Sequence, residues 1–271
     1  MGKRIMVAVV CLPLVYVIIF LLPPVFLPIT VAALSMTAVH EVLWSTGFVK
    51  HSFISGISIL LSGLIPFWVF GGEGMLPALW GLLTYTVLLF LTAISSRLSV
   101  TMEKMGGAFF FAAIIPYFLS SFIRLKGLPL GEYVVLLPLV SAFTSDAFAL
   151  FAGMAFGRHK LAPELSPKKT VEGAAGGLMG AVVCTVLYGV VMQRAFGMGA
   201  SYPLLALYGA LGSVISQLGD LFFSYIKRQY GIKDYGNIFP GHGGVLDRFD
   251  SVIFCAPLTE LLIRTLPALW R

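Results

Sequence analysis

Apolar residues run through this chain in long blocks separated by short polar segments, and the length of those blocks decides what kind of protein it is. An α-helix rises about 1.5 Å per residue, so about 20 successive apolar residues cross the hydrocarbon of a bilayer. At that length the pattern predicts nine spans: Ile5 to Leu22, Val25 to Leu43, Phe53 to Phe70, Met75 to Ile94, Ala108 to Phe122, Tyr133 to Phe156, Val171 to Phe196, Pro203 to Ile226 and Ser251 to Trp270. Only Pro23-Pro24 separates the first two, which predicts either a tight hairpin or a kink in one long segment. No small-residue cleavage site follows the first block, so it is expected to be a retained span and not a signal peptide. The expected fold class is an all-α polytopic integral membrane protein of about nine transmembrane helices.

Composition agrees with the pattern. Of 271 residues, 58% are hydrophobic and 11% charged, whereas about a quarter are charged in a soluble domain. A net charge of +6 raises the question of a nucleic-acid partner, but in a membrane protein the distribution of charge says more than its sum. With the N-terminus in the cytoplasm, Lys3, Arg4, Lys50, Arg97, Lys104, Arg158, Lys160, Lys168, Lys169, Lys227, Arg228, Lys233 and Arg248 are cytoplasmic, while Arg124, Lys126, Arg194, Arg264 and Arg271 are outside. That split follows the positive-inside rule, puts both polar clusters on the cytoplasmic side, and makes membrane lipid, not nucleic acid, the expected partner. Cys11, Cys184 and Cys255 lie scattered in apolar blocks, without the spacing of a zinc site or a disulfide framework.

Polar residues then mark two halves, 1–130 as a scaffold of about five spans and 131–271 as the part that carries chemistry. In the first half, His40 and Glu41 lie inside a span, where an ionisable pair is a functional hypothesis beside the plainer reading of a histidine hydrogen-bonded between helices. Arg97 to Gly107 fits a short interfacial helix. In the second half, Asp146 falls deep in the sixth span, and an isolated carboxylate in hydrocarbon costs several kcal/mol, so it is expected to face a cation, a metal or a wet cavity. Small residues at Ala149, Gly153 and Gly157, and again at Gly173, Gly176, Gly177 and Gly180, predict close helix packing.

The densest chemistry lies between Asp220 and Asp250. If the eighth span is helical to its end, Asp220 and Ser224 share one face, with Lys227 and Arg228 about two turns further on. Pro240-Gly241-His242-Gly243-Gly244 cannot be regular helix and predicts a turn that presents free amides. Asp247 and Asp250 then open the next helix, where N-capping is the plain alternative to chemistry. A second polar loop runs Ser166-Pro-Lys-Lys169-Thr170-Val-Glu172-Gly173. Pro167 is expected to start a helix there, with Thr170 or Ser166 as its cap and Lys169 aimed at an anion; an ordinary basic loop is the alternative.

The run Ser224-x-x-Lys227-Arg228-x4-Lys233-Asp234, followed by His242-Gly243-Gly244-x-x-Asp247-Arg248-x-Asp250, resembles the signature of phosphatidate cytidylyltransferases, the CDP-diacylglycerol synthases, and the loop 166–173 resembles a second element of that family. Leu150 and Val171 depart from it where aromatic residues are frequent. The resemblance implies transfer of a cytidylyl group from CTP to phosphatidic acid with release of pyrophosphate, with Mg²⁺ required. Charge repulsion between anionic reactants dominates such a barrier, so a metal held by carboxylates and a set of fixed cations are what it needs.

On that basis Asp220 and Asp247 are the first choice as metal ligands. Asp146, Asp250 and Glu172 are second-tier candidates, either for a second cation or for holding basic side chains in place. Lys227, Arg228, Lys233 and Arg248 are expected to hold phosphates, and Asp234 completes the catalytic set. His242 is expected to donate to phosphate or to shape its loop. Ser166, Lys169, Thr170, Ser224, Gly243 and Gly244 complete the substrate-binding set. A CTP-dependent lipid kinase and an ion-coupled transporter are the rival functions, and a homodimer is one assembly compatible with the chain.

Overall fold

The computed structural model describes residues 13–72, 75–97, 99–238 and 243–270. Long helices dominate it. They are α1 (Phe26–His40), α2 (Ser52–Gly71), α3 (Met75–Ser95), α4 (Met102–Leu119), short α5 (Ser121–Lys126) and α6 (Gly131–Val134), α7 (Leu137–Phe156), α8 (Val171–Phe196), α9 (Tyr202–Gln229) and α10 (Leu246–Thr265). Among the described residues, seven helical stretches are long and apolar enough to cross a membrane: Phe26–Ser45, Ser52–Gly71, Leu76–Ser95, Met102–Lys126, Gly131–Phe156, Val171–Phe196 and Tyr202–Gln229. The chain is a helical, multi-pass membrane protein.

These seven coincide with the second to eighth expected spans. Much of the first falls on residues 1–12, outside the described residues. Its visible end is a π-helical turn, Val17–Leu21, after which Leu22 is extended and Phe26 N donates to Pro23 O at 3.0 Å, so Pro23-Pro24 forms a tight turn and not a kink within one helix. The ninth expected span corresponds to α10, a 20-residue helix whose Asp247, Arg248, Asp250, Glu260 and Arg264 set it apart from the apolar seven. It stops at Thr265, and Leu269–Trp270 (β4) instead pairs antiparallel with Gly199–Ala200 (β3).

Two further expectations are corrected. Lys160–Ala162 (β1) and Ser166–Thr170 (β2) form an antiparallel hairpin, with Lys160 opposite Thr170 and Ala162 opposite Ser166, so the polar loop is a small sheet and not a helix start at Pro167. Proline is tolerated there because the hairpin has only two strands, and both are edges. The segment Arg97 to Gly107 is not a separate interfacial helix: Thr101 accepts from Lys104 N at 3.4 Å and caps α4, which runs on directly into the membrane-length stretch.

By packing, the described residues divide into two compact units. The first comprises the chain up to Arg124 together with Gln229–Arg248, the second Leu125–Arg228 together with Phe249–Arg271. In the first unit α1 packs on α2 and α4, and α2 on α3, where Ser58 Oγ and Tyr85 Oη share a 2.7 Å hydrogen bond. In the second unit the most extensive pairing is α7 with α8. A Cβ on Gly173 would lie 2.8 Å from Ala149 O, one on Gly177 would lie 2.7 Å from Ser145 O, and one on Gly176 would strike the Ala152 side chain. The small-residue stripes thus bring two backbones together as expected.

Candidate active site

Asp220 sits on α9 at the point where that helix changes from apolar to charged. Its Oδ1 accepts from Ser224 Oγ at 3.3 Å, as the i, i+4 spacing predicts, and its Oδ2 forms an ion pair with Lys169 Nζ on β2. The residue before it lets α10 come close: a Cβ on Gly219 would lie 2.8 Å from both Asp250 O and a ring carbon of Phe254. Such an approach brings Asp250 beside Asp220.

Asp250 is 8% exposed and has Asp220, Asp146 and Lys227 as electrostatic neighbours. Its Oδ1 accepts from Ser251 N at 2.8 Å. Ser251 Oγ donates to Asp146 Oδ2 at 3.0 Å and lies 3.4 Å from Asp250 Oδ1, so one serine ties the acids of α7 and α10 together. Asp146 is accessible at mid-helix. Below this layer Gln217 Nε2, one turn before Asp220, donates to Ser213 Oγ (3.0 Å) and Ala174 O (3.2 Å), and Ser145 and Ser213 share a 2.7 Å bond. Three carboxylates and two lysines are therefore gathered on a frame of buried hydroxyl and amide groups.

The hairpin completes the second unit's polar surface. Thr170 accepts from Gly173 N at 3.1 Å and caps α8, whereas Ser166 lies at the far end of β2 and is no cap. Glu172 accepts from the backbone N of Arg158 (3.0 Å) and of His159 (3.2 Å), and from His159 Nδ1 (2.5 Å). It clamps the end of α7 to the start of α8. Arg228 Nε donates to Leu165 O at 3.1 Å and anchors the hairpin tip to α9.

The remaining residues of the signature lie in the first unit. Asp247 Oδ2 accepts from Tyr235 N (2.7 Å) and Gly244 N (3.0 Å), both ahead of α10, so these bonds hold the segment that precedes the helix and are not an N-cap of its first turn; the fully buried Tyr235 ring fixes the same segment. Gly243 has φ of +84°, a backbone conformation that favours glycine. Lys233, Asp234 and Arg248 are exposed. His242, with Pro240 and Gly241, lies outside the described residues. Asp220 and Asp247, paired in the sequence reading, belong to different units.

Mg²⁺ binds oxygen donors and is commonly held by one or two protein carboxylates, with phosphates and water completing its shell. Among the described residues no three or more His, Cys, Asp or Glu side chains converge as a ready-made cage. Around Asp220 the donors are carboxylate and hydroxyl oxygens, and this set fits Mg²⁺ better than a soft metal. Ser251, Gln217 and His159 were not legible as parts of the site. Their partners lie 105, 43 and 13 positions away, and only Glu41, an acid inside a span, carried a signal.

Residues 2–266 match the family described as the Cytidylyltransferase family. Over 170 residues the chain is 37% identical to the phosphatidate cytidylyltransferase of Thermotoga maritima, covering 62% of this chain and 63% of that relative. It is 39% identical over 183 residues to that of Bacillus subtilis, covering 67% and 64%. It is 31% identical over 272 residues to that of Mycobacterium bovis, covering 94% and 85%. The matched part thus spans a little under two thirds of the Thermotoga and Bacillus proteins and most of the mycobacterial one.

Proposed function

The chain belongs to the Cytidylyltransferase family, and we propose that it transfers the cytidylyl group of CTP to phosphatidic acid, giving CDP-diacylglycerol and pyrophosphate. The observation that carries this reading is the Lys169–Asp220 ion pair at the charged end of a membrane-length helix, beside Asp250 and Asp146. Cations and carboxylates held together at the end of apolar helices suit a reaction between a water-soluble triphosphate and a lipid phosphate. The names of the three relatives support the same substrates.

Each chemical task has a candidate group. A lipid phosphate monoester is already ionised near neutral pH, so its attack on the α-phosphorus needs no strong general base. Lys227 and Arg228 in the second unit, and Lys233 and Arg248 in the first, are each candidates to hold phosphate, the arginines by paired oxygens and the lysines as point charges. Lys169 is released from Asp220 toward phosphate when substrate enters. His242 and the amide of Gly243 donate to the leaving pyrophosphate, while the Gly244 amide stays with Asp247. Asp220 is the first candidate to hold Mg²⁺ in the second unit, with Asp146 and Asp250 in support; Asp247 is the candidate in the first. Bound Mg²⁺ would supply positive charge to the phosphate oxygens as negative charge accumulates.

The finer topology belongs to the same proposal: nine spans, an N-terminus in the cytoplasm, and a polar site facing the cytoplasm of a bacterial inner membrane. The excess of Lys and Arg on the loops assigned to that side supports it. Incubating purified protein with CTP and phosphatidic acid tests the chemistry. Stoichiometric pyrophosphate with a CDP-lipid is expected, whereas release of CDP would identify a lipid kinase and overturn the proposal.

A further inference from the structure

Glu41 is a buried acid for which the proposed chemistry has no use. It is 2% exposed and opens a π-helical turn, Glu41–Ser45, at the end of α1. Both of its oxygens are engaged far along the chain: Oε1 accepts from Val245 N at 2.9 Å and Oε2 from Leu246 N at 2.7 Å, 204 and 205 positions later. These amides stand at the start of α10, where the first turn has no intrahelical acceptors. The chain also wraps the carboxylate closely, since a Cβ on Gly236 or Gly244 would run into Glu41 Oε1.

Asp247 takes the neighbouring amides of the same segment, those of Tyr235 and Gly244. Two carboxylates therefore divide the amides of Tyr235, Gly244, Val245 and Leu246 between them. One belongs to the signature and the other to a distant span. A neutral side chain could fill the space at position 41, but it could not accept two amides with two charged oxygens.

We propose that Glu41 is a positioning residue, whose carboxylate presets residues 243–248 from α1 and so fixes where Asp247 and Arg248 meet substrate phosphate and Mg²⁺. The proposal rests on the cytidylyl-transfer reading, and its test must be separable from that reading.

Amide hydrogen exchange on the full-length protein in detergent makes the separation. In Glu41→Gln, a carboxamide offers one oxygen to two amides, so exchange at Val245 and Leu246 is expected to accelerate at least about tenfold while global unfolding stays cooperative. The Mg²⁺ concentration that half-maximally slows exchange over 243–248 is expected to rise roughly 10- to 100-fold, the usual effect of losing an outer partner of a ligand. Gly244→Ala, which pushes the segment off the same carboxylate, should shift both readouts in the same direction and serves if Glu41→Gln does not fold. Unchanged exchange at Val245 and Leu246 overturns the proposal. So does faster exchange with the Mg²⁺ dependence unmoved, which makes Glu41 a structural cap alone. If wild-type protein moves no label from CTP to lipid, the activity reading fails while the exchange experiment still decides the role of Glu41.

Discussion

Replacing Asp220 by Asn separates a residue that holds the fold together from one that does chemistry. Asn keeps the shape and the bond from Ser224 but removes the charge that Lys169 and any metal require. The Lys169 and Asp220 side chains are 26% and 24% exposed, between a surface pair worth about 0–1 kcal/mol and a buried pair whose breakage costs about 3–5 kcal/mol. Breaking it should therefore cost about 1–2 kcal/mol. The same change relieves the repulsion that Asp220 exerts on Asp250, which acts in the opposite direction and offsets part of that cost. Net stability should move by no more than about 1 kcal/mol, or roughly 2–4 °C in melting temperature. Cytidylyl transfer at saturating Mg²⁺ should fall at least about 1,000-fold, equivalent to about 4 kcal/mol of transition-state stabilisation. Lipid-incorporated label and thermal unfolding measured on one preparation read both quantities. Residual turnover above about a tenth of wild type, only ~1.4 kcal/mol of effect, with the fold intact would refute the assignment.

Three further outcomes follow from the geometry. Thr170→Ala removes the cap of α8 and should cost about 1 kcal/mol in thermal unfolding, with Thr170→Ser restoring most of it; an unchanged melting temperature would show that the Gly173 amide needs no such acceptor. Gly219→Ala places a methyl about 2.8 Å from Asp250 O, so a loss of about 1–3 kcal/mol in stability and a clear fall in turnover are expected, and wild-type behaviour in both would mean that α9 and α10 can separate there without consequence. Chelating divalent ions should abolish transfer and restoring Mg²⁺ should recover it; transfer that persists in excess chelator would remove the metal from the mechanism.

The sequence foretold what depends on local spacing and missed what depends on distant partners. Seven spans were legible because about 20 apolar residues have one plain use, and the Asp220–Ser224 bond because positions four apart on a helix must meet. Thr170 as a cap was legible for the same reason. The β1–β2 hairpin was not, because Pro167 serves a helix start and an edge strand equally well and only the pairing of Thr170 with Lys160 decides between them. Nor could the sequence show that Ser251 would tie Asp250 to Asp146, or that Glu41 would hold amides more than 200 positions away. Helix α10 was legible as a helix opened by Asp247 and Asp250, but its end at Thr265 and the pairing of Leu269–Trp270 with Gly199–Ala200 were not, because that pairing joins positions about 70 apart.

The central claim is that this chain moves the α-phosphorus of CTP, with its nucleoside, onto a lipid phosphate. Parallel reactions with α-³²P-CTP and γ-³²P-CTP, each with phosphatidic acid and Mg²⁺, test it directly. Label entering the lipid fraction from the α position alone, with the γ label recovered as pyrophosphate, is the predicted result. Lipid labelled from the γ position, or no labelled lipid from either, would contradict it.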